Sequence, residues 1–324
     1  MNLLDIYARL KSDMGYIEQE LERSVRSDHQ LLRDTSMHLL KAGGKRIRPI
    51  FVLLAGQYGE YDLEKLKNVA VSMELIHMAS LVHDDVIDDS DKRRGQLTVN
   101  SKWDNRIAMY TGDYIFAKAL EMVTRLPQPE IHQIMSSAIV EMNIGEMEQI
   151  RHFFNSGQTM RDYLLRIKRK TALLIGISCQ LGAIAAGAPK DVSKSLYTYG
   201  YNVGMTFQIR DDLLDLCGTE KQIGKPPGND IRQGNITLPV LLAMRESELR
   251  DPLLQELERI REVDGQTDVS HFLKIVRGSA GLQQAEDIAI RYKEKAIHAL
   301  EKLPNIRAKE DLIGIAHFVG ERSY

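Results

Sequence analysis

Along most of the chain apolar residues return every three or four positions, the spacing of one face of an α-helix. The pattern predicts helices over residues 15–41, 64–88, 102–125, 129–154, 160–186, 191–217 and 237–249. No alternating β-branched run persists, and alanine, leucine, methionine and glutamate fill the periodic segments, which favours helix further. Breaks fall at "AGGKRIRP", "LPQPE", "AGAPKD" and "GKPPGND", where glycine and proline punctuate. None is long enough for an interdomain linker. The expectation is an all-α chain folded as a single domain over residues 1–324, with central helices apolar nearly all round and therefore internal.

One segment invites a membrane reading: "TALLIGISCQLGAIAAGA", residues 171 to 188, has no charge. A spanning helix needs about 20 predominantly apolar residues, and Ser178, Gln180 and the glycines weaken this one. A helix packed inside a bundle is expected instead. The chain is 43% hydrophobic and 27% charged over 324 residues, a composition that suits a soluble globular protein with a sizeable core. A net charge of -2 leaves no basic excess for nucleic acid. Cys179 and Cys217 lack CxxC spacing and sit in apolar contexts, as core thiols in a reducing compartment do. The N-terminal stretch mixes acids and bases without an apolar run, so no signal peptide is expected and the location predicted is cytoplasmic.

Charge placement carries the chemistry. "HDDVIDD" at 83 to 89 and "RDDLLDL" at 210 to 216 share the spacing Asp-Asp-x-x-Asp, each at the end of a long apolar helix. Residues four apart lie on one helix face, which pairs Asp84 with Asp88 and Asp211 with Asp215. Like charges this close raise each other's pKa unless cations compensate. A single acidic cluster is usually a solvated helix end, but two copies on apolar helices call for a ligand. Oxygen donors without histidine or cysteine suit hard Mg²⁺, which fills its open positions with water and substrate phosphate.

Cations stand near by in sequence. "GGKRIRP" offers Lys45, Arg46 and Arg48; "DKRRG" offers Lys92, Arg93 and Arg94; "IKRKTA" offers Lys168, Arg169, Lys170 and Thr171; "IGKPPGND" offers Lys225. Arginine grips phosphate oxygens as a fork and lysine as a point charge. Any one group alone reads as a solvated basic turn; four beside two acidic clusters favour a shared polyphosphate site. His77 lies two turns before Asp84 on the same stripe, which leaves a ligand role and an ordinary core role both open.

The set "GGKRIRP", "DDVID…RRG", "KRKTA", "FQIRDDLLD" and "GKPPGNDIRQGNITLP", spanning roughly residues 35 to 245, resembles the trans-polyprenyl diphosphate synthases, and within them the large catalytic subunits of the bacterial heptaprenyl type. The resemblance implies a bundle of mostly antiparallel helices around a deep cavity, with the two aspartate motifs facing each other at its mouth. It implies that Asp84, Asp88, Asp211 and Asp215 hold two or three Mg²⁺ ions bridging to an allylic diphosphate. Arg93, Lys170, Thr171, Gln208 and Lys225 would bind that diphosphate, with Asp84, Asp88, Arg93, Lys170 and Asp211 carrying the catalysis. Lys45, Arg48, His77 and Arg94 would bind isopentenyl diphosphate. Farnesyl diphosphate is the expected primer and heptaprenyl diphosphate, for a menaquinone side chain, the expected product.

Metal ions and cations stabilise the charge growing on a departing diphosphate, and water must be kept from the allylic cation. "GTEKQIGKPPGNDIRQGN" is the candidate lid. Product length is expected to depend on small Ala79 and Ser80, which let the chain pass, with Met73 and Ile76 deeper as a floor; ordinary helix packing is the competing account. Leu216 and Cys217 after the second motif, Arg210 before it and Gln96-Leu97 after "RRG" depart from the expected pattern. A non-catalytic synthase-like subunit is opposed by both intact motifs, and a terpene cyclase leaves the second motif and "GGKRIRP" unexplained. Expected partners are a second copy or a small non-catalytic subunit, with transient membrane-surface contact.

Overall fold

The computed structural model describes residues 3–219, 226–262 and 267–321; these are helical almost throughout, and their one sheet is a two-residue antiparallel ribbon. In chain order come α1 (Leu3–Arg9), α2 (Lys11–Ser24), α3 (Gln30–Lys41), α4 (Ile47–Gly56), α5 (Leu63–Ile87), β1 (Lys92–Arg93), β2 (Gln96–Leu97), α6 (Val99–Lys102), α7 (Asn105–Val123), α8 (Pro129–Arg151) and α9 (Met160–Ile167). A turn of π-helix, Lys168–Ala172, leads into α10 (Leu173–Ala185). Then follow α11 (Lys190–Cys217), α12 (Asn229–Arg232), α13 (Leu238–Ala243), α14 (Ser247–Glu262), α15 (Ser270–Arg277), α16 (Gly281–Ala299) and α17 (Arg307–Gly320). The chain is all-α, as its periodicity predicts.

Several predicted helices are shorter than the pattern suggests. The run 15–41 breaks after Ser24, where the Ser27 hydroxyl accepts the His29 N–H and the backbone leaves the helix. The run 102–125 restarts at Asp104, whose carboxylate accepts the Ile107 N–H at 2.7 Å and caps α7. The run 237–249 parts between α13 and α14.

The chain divides into two compact units. The first comprises Met1–Ser137, Leu174–Gly200 and Leu300–Gly314; the second comprises Ala138–Leu173, Tyr201–Ala299 and Ile315–Tyr324. In the first unit α5 is buried nearly all round: Leu66, Val69, Met73 and Ile76 are at most 1% exposed. The uncharged stretch 171–188 supplies α10, a core helix. Its Gly182 lies on α4, where a Cβ would come within 2.4 Å of the Val52 carbonyl oxygen. The glycine serves helix-to-helix approach, and no helix among the described residues is long and apolar enough to cross a membrane. The second unit packs Tyr163, Ile209, Leu213, Leu238, Phe272 and Ala285 into its own core.

Candidate active site

In the first unit the turn "GGKRIRP" separates two arginines that spacing alone treats alike. Arg46 takes a left-handed backbone conformation (φ 46°) before α4 and turns its guanidinium inward. Its Nε and Nη2 donate to the Glu18 carboxylate, Nη1 donates to Glu74 at 3.2 Å, and Nη2 also reaches the Leu40 carbonyl. Arg46 thus anchors the turn. Lys45 is left exposed, while Arg48, in the first turn of α4, is buried with its Nε unpartnered. Burial lowers the Arg48 pKa to about 10, with Arg94 adding to the fall and Glu74 opposing it.

The segment after α5 is a tight ribbon. Lys92 pairs with Leu97 and Arg93 with Gln96, joined by Arg94 and Gly95, both at positive φ (53° and 76°). Such a two-residue turn matches the twist of its strands. Arg93 donates from Nε and Nη2 to Oδ1 of Asp85 at 2.8 and 2.7 Å. A small pocket opens here, lined among others by Gly43, Glu74, His77, Asp85, Arg93 and Arg94. Burial and the arginines 48, 94, 93 and 46 push the His77 imidazole well below its ordinary range, so it is neutral near pH 7. Glu74, 2% exposed, counters Arg46, Arg48 and Arg94, while Glu18 and Asp85 pair with Arg46 and Arg93; charge spacing did not single Glu74 out. Asp88 keeps helical register with Asp84, its N–H donating to the Asp84 carbonyl at 2.8 Å, so the two share a face as spacing predicts.

In the second unit "KRKTA" is the π-turn. Such a turn inserts a residue and re-aims side chains, a frequent device at functional sites. Arg169 is held by Glu141 at 2.9 Å, and Lys170 donates to Glu146 and Gln149 at 3.1 and 3.0 Å. Thr171 donates to the Gln208 amide oxygen at 2.7 Å, Gln208 donates to Asp212 at 2.9 Å, and the Tyr163 hydroxyl donates to the other Asp212 oxygen at 2.6 Å. Burial, then the nearby Asp230, raise the Asp212 carboxyl above the ordinary range. Asp211 is exposed. Asp215 is buried, and its carboxylate accepts the N–H groups of Asn229 and Asp230 at the head of α12. Arg210, unexpected before the motif, donates to Glu286 at 2.9 Å. Lys225 and Glu220–Lys225 of the candidate lid lie outside the described residues.

The donor set fits a hard divalent ion: it is oxygen throughout, and no three His, Cys, Asp or Glu side chains among the described residues gather to hold a metal by themselves. An ion at either motif would complete its sphere from water or a ligand's oxygens.

On an all-α scaffold, carboxylates suited to a hard cation beside basic groups suited to phosphate define an enzyme that works on diphosphate esters. Residues 29–276 match the polyprenyl synthetase family. The chain belongs to that family and is a prenyltransferase. It is 50% identical over 318 residues to heptaprenyl diphosphate synthase component 2 of Bacillus subtilis (strain 168), covering 98% of this chain and 90% of that protein. The structure of heptaprenyl diphosphate synthase from Staphylococcus aureus superposes with a TM-score of 0.89 at 40% identity, covering 97% of this chain and 99% of the other. Polyprenyl synthase from Caulobacter crescentus, complexed with calcium and isoprenyl diphosphate, gives 0.91 at 31% identity, covering 98% and 97%.

Proposed function

We propose that the whole chain works as one synthase domain that condenses isopentenyl diphosphate with farnesyl diphosphate, repeatedly, to heptaprenyl diphosphate. The observation that carries this reading is Arg93, Arg94 and neutral His77 around one pocket, with Arg48 near enough to act on His77, on a chain half identical to a heptaprenyl synthase component. Lys45, Arg48, His77 and Arg94 hold isopentenyl diphosphate. Arg93, Lys170, Thr171, Gln208 and Lys225 would hold the allylic diphosphate, and Asp84, Asp88 and Asp211 would hold magnesium. Asp215, with its carboxylate on two backbone N–H groups, positions the start of α12 and contributes to the metal site at most from that fixed place.

Bound magnesium supplies Lewis-acid stabilisation of the charge on the departing diphosphate. The basic side chains share that charge without reorganising, because partners already hold them: Lys170 by Glu146 and Gln149, Arg93 by Asp85. The double bond of isopentenyl diphosphate then attacks the allylic carbon as its bond to diphosphate breaks, the released diphosphate takes the proton lost from the new adduct, and no side-chain nucleophile is required. "Component 2" in the name of the Bacillus relative supports a small partner chain.

The test is incubation of the purified chain, alone and with a small partner subunit of the heptaprenyl system, with farnesyl diphosphate, labelled isopentenyl diphosphate and Mg²⁺. Thin-layer separation reads product length and subunit dependence together. Asp84→Ala and Asp211→Ala are expected to lower turnover by about a hundred- to a thousandfold, the scale of losing a preorganised electrostatic group. Full turnover in either variant would overturn the metal assignment.

A further inference from the structure

The middle aspartates of the two motifs do the same thing. A helix turns about 100° per residue, so a side chain next to the Asp84–Asp88 stripe, or to the Asp211–Asp215 stripe, leaves from a different face. Both middle residues follow that geometry into the protein: Asp85 is 2% exposed and Asp212 is 3% exposed. Each ends on a side chain read above as a diphosphate ligand. Asp85 takes the Nε and Nη2 edge of Arg93. Asp212 takes one N–H of the Gln208 amide and is itself fixed by the Tyr163 hydroxyl.

Donor arithmetic shows what that leaves. A guanidinium has five N–H groups; two go to Asp85, and the Nη1 side of the fork stays available. A carboxamide has two N–H groups. Asp212 accepts one, and the amide oxygen receives the Thr171 proton at 2.7 Å. The Gln208 amide is therefore turned one way only, with one N–H left over. Without its carboxylate either side chain is free to rotate, and the ordering it now brings to ligand binding is lost.

We propose that Asp85 and Asp212 are positioning residues: each orients one diphosphate-binding side chain, Arg93 or Gln208, and neither ligates magnesium. The proposal rests on the reading that Arg93 and Gln208 bind the allylic diphosphate.

A double-mutant cycle tests it, read as the affinity of the purified chain for farnesyl thiolodiphosphate, an unreactive diphosphate probe, in saturating Mg²⁺ by calorimetry. Arg93→Gln is expected to weaken binding about tenfold or more and Asp85→Asn by a similar factor. The double variant should match Arg93→Gln within about twofold, because Asp85 acts through Arg93. Gln208→Ala and Asp212→Asn form the parallel cycle. Losses that multiply in the double variants would overturn the positioning role. Unchanged affinity in Arg93→Gln or Gln208→Ala would instead sink the diphosphate assignment on which it rests. A Mg²⁺ titration separates metal ligation: excess Mg²⁺ should restore binding in Asp84→Asn and not in Asp85→Asn, and restoration in Asp85→Asn would also overturn the proposal. Helical circular dichroism checks each fold. Should Asp85→Asn fail it, Asp85→Glu enters the same cycle, since it keeps the charge while displacing it by one methylene.

Discussion

The guanidinium of Arg94 rests on Gly44: a Cβ at that glycine would stand 2.5 Å from Nη1 and 3.0 Å from Cζ. The glycine before "KRIRP" is thus part of how Arg94 is held over the pocket. The atom that must move is the far end of a flexible side chain, but the backbone there sits at φ 158°, which an L side chain rarely adopts, so Gly44→Ala should fold with a stability loss of about 1–3 kcal/mol. Arg94 would be displaced, and a charge-assisted contact to phosphate oxygens with it. KM for isopentenyl diphosphate should rise about tenfold, equivalent to about 1.4 kcal/mol, while KM for the allylic substrate stays put. Steady-state kinetics varying each substrate in turn checks this, and equal changes in both would point to a general disturbance.

Gly204 stands in the opposite situation. A Cβ there would come within 2.5 Å of the Ala172 Cα, a backbone atom at the end of the π-turn, with no side-chain rotation to relieve it. Forced overpacking of this kind typically costs about 1–3 kcal/mol. Gly204→Ala should lower the urea midpoint accordingly and disturb the turn that aims Lys170 and Thr171. A lost allylic affinity with no stability change would show that the close approach does not exist in solution.

The helices and the acidic rims were legible because both depend on spacing within a few residues. Asp84 in α5 and Asp88 at its C-cap keep their register, and the long runs 64–88 and 191–217 match α5 and α11 within a residue or so at each end. What spacing could not reveal is pairing between segments far apart in sequence. Arg46 and Arg48 look equivalent in "KRIRP", yet a left-handed residue turns Arg46 onto Glu18 and Glu74, 28 residues away on either side. Asp212 finds Tyr163 49 residues earlier. Asp215 shares a helix face with Asp211 as spacing predicts, but spacing could not show that its carboxylate also accepts backbone N–H groups 14 and 15 residues on. Glu74 was invisible because a lone acid in an apolar helix has no local signature.

Chain length gives a third test. Met73 and Ala79 are fully buried and Ile76 is 1% exposed, while half-buried Ser80 donates its hydroxyl to the His77 carbonyl at 2.9 Å. The pocket draws on Glu74, His77, Met78 and Leu81 of α5, so these four residues leave the helix on other faces. If the growing prenyl chain runs past Ser80, a ring at that position blocks it one turn from Asp84. Ser80→Phe should retain incorporation of labelled isopentenyl diphosphate and yield a product shorter by two or more isoprene units on reversed-phase thin-layer plates. An unchanged product would place the growing chain elsewhere.

The pH response of His77 follows from its surroundings. Burial comes first, then Arg48, Arg94, Arg93 and Arg46, and these hold the native imidazole well below 6.5 although the acids Glu74 and Asp85 line the same pocket. In the unfolded chain a histidine takes up its proton near pH 6.5. Below that pH the unfolded state binds a proton that the native state refuses, so acid favours unfolding; above it the difference vanishes. At pH 5.5 this one group should lower stability by at most about 1.4 kcal/mol relative to pH 7.5. His77→Gln removes the linkage, so urea unfolding at the two pH values should show a smaller acid loss in the variant. If His77 binds phosphate as proposed, its neutral ring would serve as an N–H donor and not as a charge. Gln retains such a donor, so His77→Gln should raise KM for isopentenyl diphosphate less than His77→Leu does. An equal acid loss in variant and parent would mean that the native imidazole carries a proton, and the cationic nest would then need a further counter-charge.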